Sequence, residues 1–367
     1  MSRALVVVAV AALVLAAPAS AAGPPAVEAS AYLVENGATG EVLAGHRTNA
    51  RLPIASITKL MTALVALERA KPTDVVVASP SAAAIGESTI HLRAGERISV
   101  GDLVEAALVQ SANDAAWALA VHVGKGDVSR FVAMMNRKAR AIGLRETRFV
   151  RPDGLDVPGH VSSARDVTLL ARVAMRNPVI RSIVDDRTGT IAGGRRLHTW
   201  NDLLGTLPGT IGVKTGHTAA AGWSQVAAVR APGFLLYATI LGSPSRAARN
   251  ADLGELLRWG LSLYRWVQVI DPRRVYATAE LGYGRKPMPL VAGGPVSKPV
   301  RVDRPLREVV VAATRLVLPV RQRTYAGEIK IYDGARLIAR QPLFAARNAG
   351  RPGFLSRAWW SVKGVFS

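Results

Sequence analysis

The spacing of apolar residues changes along the chain, and each change marks an element. In SAYLVENGATGEVLAGH, residues 30–46, apolar and polar positions alternate about Gly37–Gly40, which predicts a hairpin. From Ser56 to Arg69 the period becomes helical, with Leu60, Leu64 and Leu67 on one stripe. Helical runs recur at 101–123, 127–142 and 163–176. Near residue 210 the period returns to two, so TIGVKTG, GWSQVAAVR and FLLYATILG read as strands, and a helix at about 246–266 closes this portion. Strands therefore flank a helical middle, the pattern of a mixed α/β domain whose terminal segments pair in one sheet.

The character changes around Asp271–Pro272. Residues 273–345 hold short strands split by Pro and Gly, with no long helical run, and EIKIYDGARLIARQPL is a hairpin turning at Asp333–Gly334. This predicts a second, β-rich domain. In the tail, GFLSRAWWSVKGVF, a helix would gather Leu355, Ala358, Trp359, Val362 and Phe366 in one arc, with Arg357, Ser361 and Gly364 facing away. Paired Trp flanked by Arg and Lys suit a membrane interface, and the segment is too short to span a bilayer. Docking of the same helix on its own domain is the alternative.

At the other end, MSRALVVVAVAALVLAAPASAAGPP has one Arg, a short apolar run and Ala-Ser-Ala before Ala22, the features of a secretory signal peptide cleaved near Ala21. The expected organisation is thus a signal peptide over 1–21, a catalytic domain over 22–270, a β-rich domain over 271–350 and an amphipathic helix over 351–367. Export fits the absence of any Cys, since a chain of 367 residues has material for a sizeable core without disulfides. The six His are scattered and never take the paired spacing of a zinc-hydrolase helix, so no metal and no cofactor are expected. A net charge of +21 raises nucleic acid as a partner, but export argues against it and no basic run is interleaved with aromatics. Solvated surface Arg, or attraction to anionic lipid or wall polymers, accounts for the excess instead.

Only nine of the 47 basic side chains are Lys, and only Lys59 has Ser three residues before it, in PIASITKL. Taken alone, Ser56 is also an ordinary helix N-cap. Two further motifs follow in order: Ser111 and Asn113 in QSANDAAWALA, at the head of an apolar run, and Lys214, Thr215 and Gly216 in GVKTGHT, at the end of a strand. Ser-x-x-Lys, Ser-x-Asn and Lys-Thr-Gly in one exported domain form the trio of penicillin-binding proteins and class A β-lactamases.

With these motifs the chain resembles the low-molecular-mass penicillin-binding proteins that are D-alanyl-D-alanine carboxypeptidases. VSSARDVTLLARVAMRNP, KTGHTAAAGWSQVAA, LLRWGL, the β-rich second domain and the tail extend the likeness over nearly all the mature chain. The resemblance implies an α/β (α+β) fold: a β-lactamase/DD-peptidase-like sheet with a helical subdomain, a small β-rich C-terminal domain and an amphipathic C-terminal helix. Ala112 stands where class A β-lactamases carry Asp, which points to the peptidase branch.

Residues three apart share a helix face, so Lys59 reaches the Ser56 hydroxyl, and it serves as base only if burial and the charge of Lys214 favour its neutral form. The resemblance implies attack by Ser56 on the carbonyl between two D-Ala residues. The backbone N–H groups of Ser56 and His217 would form the oxyanion hole, Gly216 would allow close approach, and Ser111 would relay a proton while Asn113 orients Lys59. The terminal carboxylate would meet Lys214, Thr215 and an Arg after the next strand, Arg249 or failing that Arg246. Expected partners are stem peptides ending in D-Ala-D-Ala, β-lactams as covalent inhibitors and the membrane surface on the extracytoplasmic side. A β-lactamase needs a deacylating Glu between the second and third motifs, where only Glu146 occurs, outside a Glu-x-x-Leu-Asn setting. A DD-endopeptidase and a non-catalytic wall-binding protein are the remaining readings.

Overall fold

The computed structural model describes residues 6–9, 23–354 and 359. The chain divides into two compact units, the first running from Gly23 to Leu261 and the second beginning at Ser262. The division expected at 270/271 falls earlier because Tyr264–Ile270 does not continue the preceding helix; it pairs as a strand with Val296–Arg301 of the second unit.

In the first unit, β1 (Ala31–Asn36) and β2 (Glu41–His46) form the expected hairpin. At the far end of its sequence lie β3 (Thr210–Thr218), β4 (Gly222–Ala231) and β5 (Phe234–Ser243). The five make one antiparallel sheet in the order β2-β1-β5-β4-β3, with Ala238 opposite both Val34 and Ala227, so the two ends of the unit do meet at the β1–β5 pair. Alternation along the strands gives the sheet two buried faces. Thr239 meets Thr168 of α5 (Ala164–Ala174) through paired hydroxyls 2.6 Å apart, while Leu236 and Val34 crowd Gly260 of α6 (Arg246–Ser262) so closely that a Cβ there would sit 2.7 Å from Leu236 Cδ2.

The other helices of nine residues or more among the described residues are α1 (Lys59–Arg69), α2 (Val100–Leu108), α3 (Asn113–Gly124) and α4 (Val128–Ala141). Two expectations change here. The helix expected over 101–123 is two, α2 and α3, because Ser111 adopts a left-handed φ of 68° between them. The helix expected to start at Ser56 begins with a 3₁₀ turn, Ala55–Thr58, in which no side chain caps the end. An N-cap contributes only about 1 kcal/mol. Burial of Leu60, Met61 and Leu64, at about 2 kcal/mol each, is what holds the start of α1 in place.

The second unit is a six-stranded antiparallel sheet beside a two-stranded ribbon. Its clearest hairpin pairs Tyr325–Asp333 with Arg336–Ala345, with Asp333 opposite Arg336, so the turn residues are Gly334 and Ala335. Val6–Ala9, within the expected signal peptide, pairs with Leu306–Ala313 at one edge of this sheet; the rest of 1–21 lies outside the described residues. The amphipathic helix expected over 351–367 also lies mostly outside them, although Phe354 and Trp359 are described and exposed. Among the described residues no helix is long and apolar enough to cross a membrane.

Candidate active site

Ser56 sits in the 3₁₀ turn, half-buried, directly after Ala55, whose φ of 47° bends the chain sharply. Lys59, the first residue of α1, is fully buried, and its Nζ has three neighbours: Ser56 Oγ at 2.6 Å, Asn113 Oδ1 at 2.7 Å and the Asp153 carbonyl at 2.7 Å. Two of these can only accept a hydrogen bond, and the third is a hydroxyl that can donate one. An ammonium meets these three by donating to all of them, and a neutral amine, with two N–H groups and one lone pair, by donating to Asn113 and Asp153 and accepting from Ser56. Burial pushes the Lys59 pKa down to about 7; Asp153 and Glu87 oppose the shift and Arg151 assists it. Burial is the largest cause for both Lys59 and Lys214, and the mutual repulsion of their charges acts in the same direction.

Asn113 opens α3 and is itself held, its N–H donating to the Ser88 carbonyl at 2.7 Å and its Nδ2 to the Gly86 carbonyl at 3.0 Å. The left-handed turn at Ser111 presents that hydroxyl to Lys214 Nζ at 2.9 Å. Lys214 also donates to the Thr215 carbonyl at 3.0 Å, and burial holds its pKa well below the usual range. Gly216 follows on β3, and a Cβ there would meet the Ile54 carbonyl at 2.7 Å and Ser56 N at 3.1 Å. The strand thus runs against the backbone of the nucleophile turn, where only Gly fits. His217 stacks on Trp223, their ring centres 3.9 Å apart.

Arg249 and Arg246 both reach this region from the first turns of α6. Asp202 accepts from both, at 3.2 Å from Arg249 Nη2 and 2.6 Å from Arg246 Nη2, and the Arg249 guanidinium lies 5.7 Å from the centre of the Trp223 ring. Arg249 is buried, at 1% exposure of its side chain, and burial brings its pKa down to about 10; Arg246 is 39% exposed. Ser56, Ser111, Asn113, Thr215, Gly216, His217 and both arginines line one cavity of about 250 Å³. Lys59 and Lys214 lie beneath it.

Sequence reasoning missed the loop Arg151-Pro152-Asp153-Gly154-Leu155-Asp156. Gly154 has φ 89°, and a Cβ would fall 2.0 Å from the Ala55 carbonyl, so the loop can lie against the nucleophile turn and aim the Asp153 carbonyl at Lys59. Arg151 pairs with the buried Asp153 carboxylate at 2.7 Å, and Thr218 on β3 donates to Asp156 at 2.6 Å. The Asp-Gly pair was the available signal. His160 was also overlooked. Its Nδ1 accepts from the Val150 N–H at 3.1 Å, so the Nε2, 2.7 Å from Thr58 Oγ1, carries the proton; burial lowers its pKa to about 4. Glu87, Ser88, Leu155, Trp200 and Trp223 complete the lining without having been singled out.

A serine hydroxyl on a helix-starting turn, a buried lysine of lowered pKa 2.6 Å from it and a cationic pocket ahead of it make a site suited to serine acyl transfer. The chain belongs to the D-alanyl-D-alanine carboxypeptidase family, whose model matches residues 18–245. It is 32% identical to the D-alanyl-D-alanine carboxypeptidase DacD of Salmonella typhimurium, over 91% of this chain and 90% of the relative. Penicillin binding protein 5 from Haemophilus influenzae superposes with a TM-score of 0.66 at 27% identity, covering 90% of this chain and all of that one. The Streptomyces K15 DD-transpeptidase gives 0.62 at 30% identity over 66% of this chain and 100% of its own.

Proposed function

We propose that the chain is a serine-type D-Ala-D-Ala carboxypeptidase that removes the terminal D-Ala from peptidoglycan stem pentapeptides through an acyl-enzyme on Ser56, and that β-lactams acylate the same residue. The observation that carries this is the placing of Lys59, fully buried with its Nζ 2.6 Å from Ser56 Oγ, where burial brings its pKa down to about 7 and frees the amine to take the Ser56 proton. Lys59 Nζ takes that proton as Ser56 Oγ bonds to the carbonyl carbon. The oxyanion is met by the N–H groups of Ser56 and His217, which a Gly at 216 brings together. The proton held by Lys59 then passes, relayed by Ser111, which is hydrogen-bonded to Lys214, to the leaving nitrogen; the C–N bond breaks, D-Ala departs and Lys59 is neutral again. Water then attacks the ester, with Lys59 again the base. The terminal carboxylate is held by Thr215 and Arg249, with Arg246 at the rim. A buried anion of this kind is costly unless paired, which gives the cationic pocket its purpose.

A β-lactamase reading has little support, because Glu146 is engaged by Arg51 Nε at 2.8 Å and does not line the cavity. A wall-binding module has no use for two buried lysines with depressed pKa values. Export through the leader at 1–21, action on the extracytoplasmic side and membrane contact through 351–367 belong to the same proposal. Its test is release of D-Ala from diacetyl-L-Lys-D-Ala-D-Ala by wild type and by Ser56→Ala. Release by wild type alone supports the reading. Cleavage only of cross-linked dimers would favour the endopeptidase.

A further inference from the structure

Glu87 is the only carboxylate among the described residues that line the catalytic cavity, and nothing in the mechanism uses it. It is exposed at the rim with a left-handed φ of 65°, while the backbone on either side is pinned: Gly86 and Ser88 give their carbonyls to Asn113, and the Ser88 hydroxyl donates to the Gln110 carbonyl at 2.9 Å. The carboxylate is therefore presented by a fixed segment, and it has no hydrogen-bond or ion-pair partner of its own among the described residues. The lining carries both signs of charge. Arg249, Arg246 and Thr215 suit a terminal carboxylate, whereas Glu87 stands between Gly86 and Ser88, the two residues whose carbonyls hold Asn113.

With the carboxylate of a D-Ala-D-Ala peptide at the arginines and its scissile carbonyl at Ser56, the acyl portion runs past Asn113, beside which Glu87 stands. We infer that Glu87 is a specificity-determining residue that binds a primary ammonium on the side chain of the residue preceding D-Ala-D-Ala, so the enzyme favours stem peptides whose side-chain amine is free over those in which it is acylated. The inference rests on the carboxypeptidase reading. An exposed ion pair of this kind is worth about fivefold in kcat/KM at low salt.

The test compares Nα-acetyl-L-Lys-D-Ala-D-Ala with the Nα,Nε-diacetyl peptide on the full chain, on Glu87→Gln and on Glu87→Asp. Wild type is expected to prefer the free amine about fivefold, Glu87→Gln to show a ratio near one, and Glu87→Asp to keep part of the preference. Equal rates on the two peptides by wild type, a preference that survives in Glu87→Gln, or an equal loss on both peptides in that variant would each overturn the assignment. Release from neither peptide by wild type would overturn the carboxypeptidase reading itself, a result distinct from release without preference.

Discussion

If neutral Lys59 is the base, acylation of Ser56 must follow the titration of a group that ionises near pH 7. An unperturbed lysine, at 10.5, is neutral in only about three molecules in ten thousand at pH 7. Burial brings Lys59 to about 7, so about half the molecules carry the free base there. Between pH 8 and pH 6 the neutral fraction falls from about nine-tenths to about one-tenth, and the rate constant for acylation should fall about tenfold with it. The sign is definite: the folded protein disfavours the charged form, so activity rises with pH and levels above 8. The environment makes a second, directional statement. Glu87 favours the protonated form of Lys59 and Arg151 disfavours it, so Glu87→Gln should move the acid limb to lower pH and Arg151→Leu to higher pH. Stopped-flow acylation by a chromogenic β-lactam from pH 6 to 9, with circular dichroism at each pH to confirm folding, measures both. A rate flat across this range, or a limb centred near 10, would refute the assignment of Lys59 as a buried neutral base.

Other positions give sharper local tests. Gly216→Ala places a methyl 2.7 Å from the Ile54 carbonyl and should cost acylation about a hundredfold by parting the two oxyanion donors, a loss read in the same assay. Arg249→Ala removes the buried guanidinium and should lower kcat/KM for a D-Ala-D-Ala peptide about tenfold to a hundredfold, while Arg246→Ala, partly exposed, should cost about fivefold or less; steady-state kinetics on both decides the order. For His160 the folded pKa lies below its ordinary 6.5, so its contribution to stability is complete above that pH and is lost as pH falls towards 4, about 3 kcal/mol in all. Urea denaturation at pH 7.5 and pH 4.5, compared with His160→Gln, isolates that term.

The three motifs were legible because their spacings carry the chemistry in themselves: Ser56 and Lys59 one helical turn apart, Ser111 and Asn113 at a helix head, Lys214 to Gly216 at a strand end. So was the central sheet, since its strands are short apolar runs bounded by Gly and come from opposite ends of one unit. What escaped were features made by backbone meeting backbone. A helical period runs unbroken through 101–123, yet Ser111 must turn out of it to reach Lys214, and periodicity does not register a single left-handed residue. The Asp153 carbonyl is a main-chain group with no side-chain signature, and Gly154 matters only because Ala55 lies against it. Capping was the obvious use for Ser56, and the structure assigns that hydroxyl to Lys59 instead. Glu87 lies in a stretch with no periodic pattern, and only the cavity gives it meaning.

The central claim is that Ser56 forms an acyl-enzyme with Lys59 as its base. Incubation of the protein with benzylpenicillin, followed by intact mass and peptide mapping, should show one adduct of the whole drug on the peptide containing Ser56, absent from Ser56→Ala and formed far more slowly by Lys59→Arg. An adduct on another residue, or one that persists in folded Ser56→Ala, would contradict the account.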